Sequence, residues 1–192
     1  MSRSSALVPA ASGIPVPPRW RSLRVSRQGE DDYASGLHCI ATAARHLAHS
    51  PAEPSRILKA LAPSHASRIQ ARLSAAGLLE KEIRALAATA GLGVYRPNTH
   101  EVSQFQCQEP GLLWMAFVLV KLTAPSGAER DHGHYVLVLD HVAEDGALVL
   151  ADPHPWNPPV YCVGLDDFES AWRAAKTKGP PWAAWLGHAT RR

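Results

Sequence analysis

The chain has 192 residues, 46% of them hydrophobic, which suits one domain with a buried core. No run approaches the ~20 apolar residues of a membrane span, and the first residues lack the apolar stretch of a signal peptide. A cytoplasmic protein, or one exported without such a peptide, is therefore expected, with no membrane partner. The net charge is only +3, and no nucleic-acid-binding motif accompanies the Arg-rich stretch from Arg3 to Arg27, which argues against a nucleic-acid partner. Cys39, Cys107 and Cys162 are too few and too scattered for a disulfide framework or a paired-cysteine metal site.

Residues 1–20 hold four Pro among Ser, Ala and Gly and read as a flexible leader, so a single folded domain is expected over 21–192. From Leu37 to His49 the apolar Leu37, Ile40, Ala41, Ala44, Leu47 and Ala48 follow the i, i+3, i+4, i+7 rule and predict a central helix, stopped by Pro51 and Pro54. Short helices follow at Ser55–Leu61 and Arg68–Leu73. An amphipathic one spans Leu79–Ala90 and ends at Gly91. Strands are predicted at Gly93–Tyr95 and Leu112–Leu122. A hairpin joins His134–Leu139 to Ala147–Ala151 through Glu144-Asp145-Gly146. Asp166–Trp172 reads as a late helix with Phe168 and Trp172 inward, and residues 176–192 show no readable element. Helices first and antiparallel strands after give an α+β domain.

Three pieces of this pattern carry chemistry. Cys39 lies at the head of the central helix, where free N–H groups and the helix dipole favour a thiolate. His134 opens one strand of the hairpin, and Asp152 closes the other, which can bring its carboxylate beside the ring. Cysteine, imidazole and carboxylate in that order are the parts of a nucleophile, a proton carrier and a group that fixes the imidazole tautomer. Gln28, upstream of the helix, offers an amide donor to a developing oxyanion. His132 competes with His134 but lies in the loop. A zinc site from His132, His134, His141, Asp152 and His154 is disfavoured because strand alternation makes joint inward ligation awkward.

The run from Gln28 through the Cys39 helix, the helix Glu80–Ala90 with Gly91-Leu92, the His134-Tyr135-Val136-Leu137-Val138 segment with Asp152-Pro153, and Asp167-Phe168-Glu169-Ser170-Ala171-Trp172 resemble papain-like cysteine peptidases of the bacteriocin-processing, double-glycine-leader type. The resemblance covers about residues 25–175. It implies a papain-like fold, N-terminal helices on an antiparallel sheet, a Cys–His–Asp triad, a Gln oxyanion donor, a peptide or protein substrate and no cofactor. The nucleophile half departs from the family pattern, in which the Cys directly precedes a Gly and follows the Gln by six. Here Ser35 precedes Gly36, seven residues after Gln28, and the nearby thiol is Cys39. Two frames follow: Cys39 as nucleophile, the one favoured because a thiol is the better nucleophile, or Ser35 in that position. In the Cys39 frame, Gly36-Leu37-His38-Cys39 with Thr42-Ala43 and Arg45 is similar to butirosin-H-type acyltransferases on the same fold. The expected activity is therefore a thiol hydrolase cleaving a peptide or amide bond, with an acyltransferase or a non-catalytic peptide-binding module as alternatives.

Overall fold

In the computed structural model, which describes residues 6–9, 12–29, 33–75, 77–97, 100–124, 126–175 and 181–188, the chain is an α+β unit on a single sheet. Strands β1 (Leu92–Tyr95), β2 (Leu112–Thr123), β3 (Glu129–Val142), β4 (Ala147–Ala151), β5 (Val160–Gly164) and β6 (Ala183–His188) lie in the order β1-β6-β2-β3-β4-β5. Every neighbouring pair is antiparallel. Strands β2 to β5 form a meander. The turn expected between β3 and β4 is present, and Gly146 closes it at φ 56°, a left-handed conformation that glycine adopts without a Cβ clash.

Alternation along β3 divides the apolar side chains between two cores. Tyr135, Leu137 and Leu139 face a cluster formed with helices α2 (Ser35–Ala48), α3 (Pro54–Lys59), α4 (Pro63–Leu73) and α5 (Glu80–Thr89). Val136 and Val138 face a second cluster, closed by Phe105 and by Phe168 and Trp172 of α6 (Leu165–Ala174), the two inward residues expected there. Helix α2 lies close to the sheet because the face it turns inward is small: Gly36, Ala41, Ala43 and Ala44 are all buried. His49 ends it in a left-handed conformation, φ 48°. Glu82 starts α5 by accepting the Leu79 N–H at 2.7 Å, one arm of a capping box.

A register shift between Val138 and Asp140 inverts the alternation. After this bulge Asp140 and Val142 face the side that Leu139 faced, and Val142 packs on the first cluster. Asp140 there accepts bonds from Arg19 and from the Trp20 ring N–H at 2.7 Å, both on the short helix α1 (Pro18–Arg21). The segment read as a flexible leader is therefore tied down where it is described. Leu7 joins the second core, and Ser12 donates to the Cys162 carbonyl at 2.8 Å. Prolines set its path, but its anchors are partners more than a hundred residues away.

Strand β6 had no local signature. It is six residues long, follows a Pro-rich segment, and exists because β1 and β2 hydrogen bond to its two edges. Residues 176–180 and 189–192 of the same tail lie outside the described residues.

Candidate active site

The first turn of α2 takes over from β4 along the flank of β3. The β3–β4 ladder ends at the pair Leu137–Ala151. One step further on, the Tyr135 N–H donates to Ser35 Oγ at 3.2 Å, and the Tyr135 carbonyl accepts from Cys39 Sγ at 3.3 Å. Ser35 and Cys39 are one helical turn apart, so their side chains share a face and bracket one residue of the strand. Gly36 makes this approach possible. A Cβ there would lie 3.1 Å from Leu78 Cδ1 and 3.2 Å from Tyr135 Cδ2, tighter than ordinary contact.

Cys39 is 1% exposed, and burial first, then the Asp152 charge, push its thiol pKa well above the ordinary value. That is the reverse of the activated thiol expected at this position. The helix dipole fades beyond the first turn, and Ser35, not Cys39, is the first residue of α2.

His134 and Asp152 do meet. The ring Nε2–H donates to Asp152 Oδ1 at 2.7 Å, and neither side chain is exposed to solvent. The carboxylate is saturated with donors: the His154 N–H reaches Oδ1 at 2.8 Å, while Asn157 Nδ2 and the Tyr161 hydroxyl reach Oδ2 at 2.8 and 3.0 Å. Burial alone would push the Asp152 pKa up, but the paired imidazole and these donors overcome it and hold the carboxyl below the usual carboxylate range. The Tyr161 hydroxyl is raised well above its ordinary value by burial and by Asp152, so it remains a donor. With Nε2–H committed to Asp152, the Nδ1 of a neutral His134 is a bare acceptor. It is buried and has no hydrogen-bond partner among the described residues.

Gln28 is buried next to this loop. Its backbone N–H donates to the Pro153 carbonyl at 3.0 Å, and Arg27 binds the carbonyls of Asp152 and Asn157 at 3.1 and 2.6 Å. The segment entering α2 is thereby stapled to the end of β4. His132 lies against Tyr33 (ring centroids 5.4 Å apart), and burial, then the His134 charge, lower its pKa. His154 packs on His134 at 5.8 Å, its pKa lowered to about 4 by burial and then by the His134 charge. Among the described residues no group of three or more His, Cys, Asp or Glu side chains is arranged to hold a metal ion.

Asn157, Tyr161 and His154 escaped the sequence reading as supports of Asp152. Their roles arise from the loop folding back between β4 and β5, although a His, an Asn and a Tyr within nine residues of one Asp were its only trace. Chemically, the arrangement offers a hydroxyl at a helix start, beside a strand carrying an imidazole whose tautomer is fixed by an ionised carboxylate.

No family model and no curated protein matches the sequence. Solved structures do match the fold. One is the peptidase domain of Streptococcus ComA, a bi-functional ABC transporter involved in a quorum sensing pathway, with 15% identity and TM-score 0.59 over 87% of this chain and 99% of that one. Another is a double glycine motif protease from an AMS/PCAT transporter in complex with the leader peptide, with 14% identity and TM-score 0.50 over 86% of this chain and 91% of that one. The chain thus has the papain-like fold of these peptidase domains, a mixed α+β unit with helices packed on an antiparallel sheet.

Proposed function

We propose that this chain is a papain-like acyl hydrolase acting on a peptide or amide carbonyl, with Ser35 rather than Cys39 as nucleophile, His134 as proton carrier and Asp152 as the group that orients it. The observation that carries this reading is the buried Nδ1 of His134, which has no hydrogen-bond partner among the described residues and whose other nitrogen is locked on a saturated carboxylate. A desolvated acceptor of this kind costs about 1–3 kcal/mol, a cost consistent with a proton-accepting role. Nδ1 takes the Ser35 proton as Oγ bonds to the substrate carbonyl carbon, and the carbonyl electrons move onto oxygen. N–H groups at the very start of α2, before His38, and the Gln28 amide receive the oxyanion. Collapse expels the amine, which takes the proton from His134, and water then releases the acid. The peptide character of the substrate is carried over from the leader-peptide-bound protease among the structural neighbours.

The Cys–His–Asp version of the triad needs Cys39 to leave the Tyr135 carbonyl and shed the burial that raises its pKa. We assign Cys39 to holding α2 against β3. A second reading, a module that holds a peptide without cleaving it, is favoured by one observation: Ser35 Oγ already accepts the Tyr135 N–H.

Labelling with an alkyl fluorophosphonate and peptide mapping separates the two. The hydrolase reading expects modification of Ser35 that disappears in His134→Ala. Absence of adduct at Ser35 in the folded wild type overturns it and leaves the holding module.

A further inference from the structure

Strand β2 is twelve residues long, but β6 pairs only with Leu112–Ala116, and among the described residues the Phe117 N–H to Trp182 carbonyl bond is the last one from that neighbour. Beyond it, Leu7 of the N-terminal segment lies on the outer edge. The Leu7 N–H donates to the Leu119 carbonyl at 2.8 Å, and the Lys121 N–H donates to the Leu7 carbonyl at 2.7 Å, an isolated parallel bridge opposite Val120. The Leu7 side chain is 1% exposed and packs in the second core with Val118, Val120 and Leu122, whereas the neighbouring Val8 is 50% exposed. Across the sheet, Val120 pairs with His132 and Val118 with His134. The Leu7 position is thus two strand spacings, roughly 10 Å, from the strand that carries the imidazole.

We propose that this edge of β2 is a docking site for an extended peptide, running parallel to β2 with one Leu-sized side chain in the Leu7 position, and that Ala6–Val8 holds the place in the free chain. Strand addition of this kind takes affinity from main-chain hydrogen bonds and selectivity from a pocket for alternate side chains. Both parts are present: a carbonyl and an N–H two residues apart that already bind an extended segment, and a hole in the core that Leu7 fills. Pro9 has no N–H with which to extend the ladder, whereas β2 continues to Thr123 and offers a longer strand more pairing. The occupant is a peptide rather than a second copy of the chain because the segment is already tethered nearby, through Ser12 to the Cys162 carbonyl, and satisfies its own edge. This inference holds whether or not Ser35 cleaves anything.

The test is fluorescence anisotropy with the labelled hexapeptide Ser-Ala-Leu-Val-Thr-Val, which keeps the resident Ala-Leu-Val and replaces its Pro. A tethered segment competes at millimolar effective concentration, so wild type binds the probe weakly. Leu7→Asp, which cannot fill the pocket, binds it at least tenfold more tightly. A probe with Asp in place of Leu loses that binding, and so does Leu7→Asp combined with Lys121→Pro, which removes the donor. Equal binding by wild type and Leu7→Asp, or by the two probes, overturns the proposal. A readout that needs no variant is the amide spectrum of wild type at millimolar probe: shifts at Leu119 and Lys121 are expected, and unshifted amides there overturn it. Concentration-dependent dimerisation of the wild type through this edge would assign the site to a second copy and overturn the peptide reading.

Discussion

Replacing His154 with Asn removes an acid-sensitive weakness from the fold. His154 is 1% exposed, its Nδ1 accepts the Trp156 N–H at 3.2 Å, and its own backbone N–H donates to Asp152 Oδ1. Burial, then the His134 charge, lower its pKa from 6.5 to about 4. The unfolded chain therefore takes up a proton near pH 6.5 that the folded chain accepts only near pH 4, so this group costs nothing above about pH 7 and destabilises progressively as pH falls. One pKa unit is worth about 1.4 kcal/mol, and roughly one and a half units separate pH 6.5 from pH 5, giving about 2 kcal/mol at pH 5. Screening and local relaxation reduce the working figure to about 1–2 kcal/mol. Asn keeps an acceptor for the Trp156 N–H and does not titrate. His46, whose pKa is also lowered, contributes equally to both proteins and cancels. Urea unfolding at pH 7.5 and pH 5 should show wild type losing about 1–2 kcal/mol more than His154→Asn. Parallel losses in the two proteins would refute the reasoning.

Asp152→Ala strands the His134 ring, the Asn157 amide and the Tyr161 hydroxyl in the core, and should cost about 3–5 kcal/mol in the same urea assay. Gly36→Ala pushes a methyl against Leu78 and Tyr135, so the melt should register a loss of about 1–3 kcal/mol. In native protein, iodoacetamide should modify exposed Cys107 first and leave Cys39 untouched until denaturant is added, as read by peptide mapping. Early modification of Cys39 would restore it as the candidate nucleophile.

Periodicity made the longer helices legible because each presents an apolar stripe that sequence alone displays, whereas the four-residue α1 has no buried face and reads as loop. The central helix begins two residues earlier than its apolar repeat, at Ser35, since Ser35 and Gly36 are chosen by the approach to Tyr135 and not by hydrophobic pattern. The hairpin and its Gly146 turn were visible for the same local reason. Strands β5 and β6 were not, because a strand of five or six residues is defined by its neighbours. The site divided along the same line. His134 and Asp152 meet because a hairpin sets their register locally. Whether Ser35 or Cys39 stands nearest the dyad depends on where one helix starts against one strand, and spacing alone leaves both on the same face. The bulge that turns Asp140 towards Arg19 and Trp20, and so ties down a segment that reads as loose, is likewise a property of the folded sheet.

The account stands or falls on the start of α2 being the nucleophile position served by His134. Ser35→Cys tests it most directly, because a thiol there reports its own activation whatever the hydroxyl does. Carbamidomethylation by iodoacetamide at pH 6.5 should be at least tenfold faster at position 35 than at Cys107, and the advantage should vanish when His134→Ala is added. A new thiol that reacts no faster than Cys107, or that keeps its rate without the imidazole, would contradict the claim.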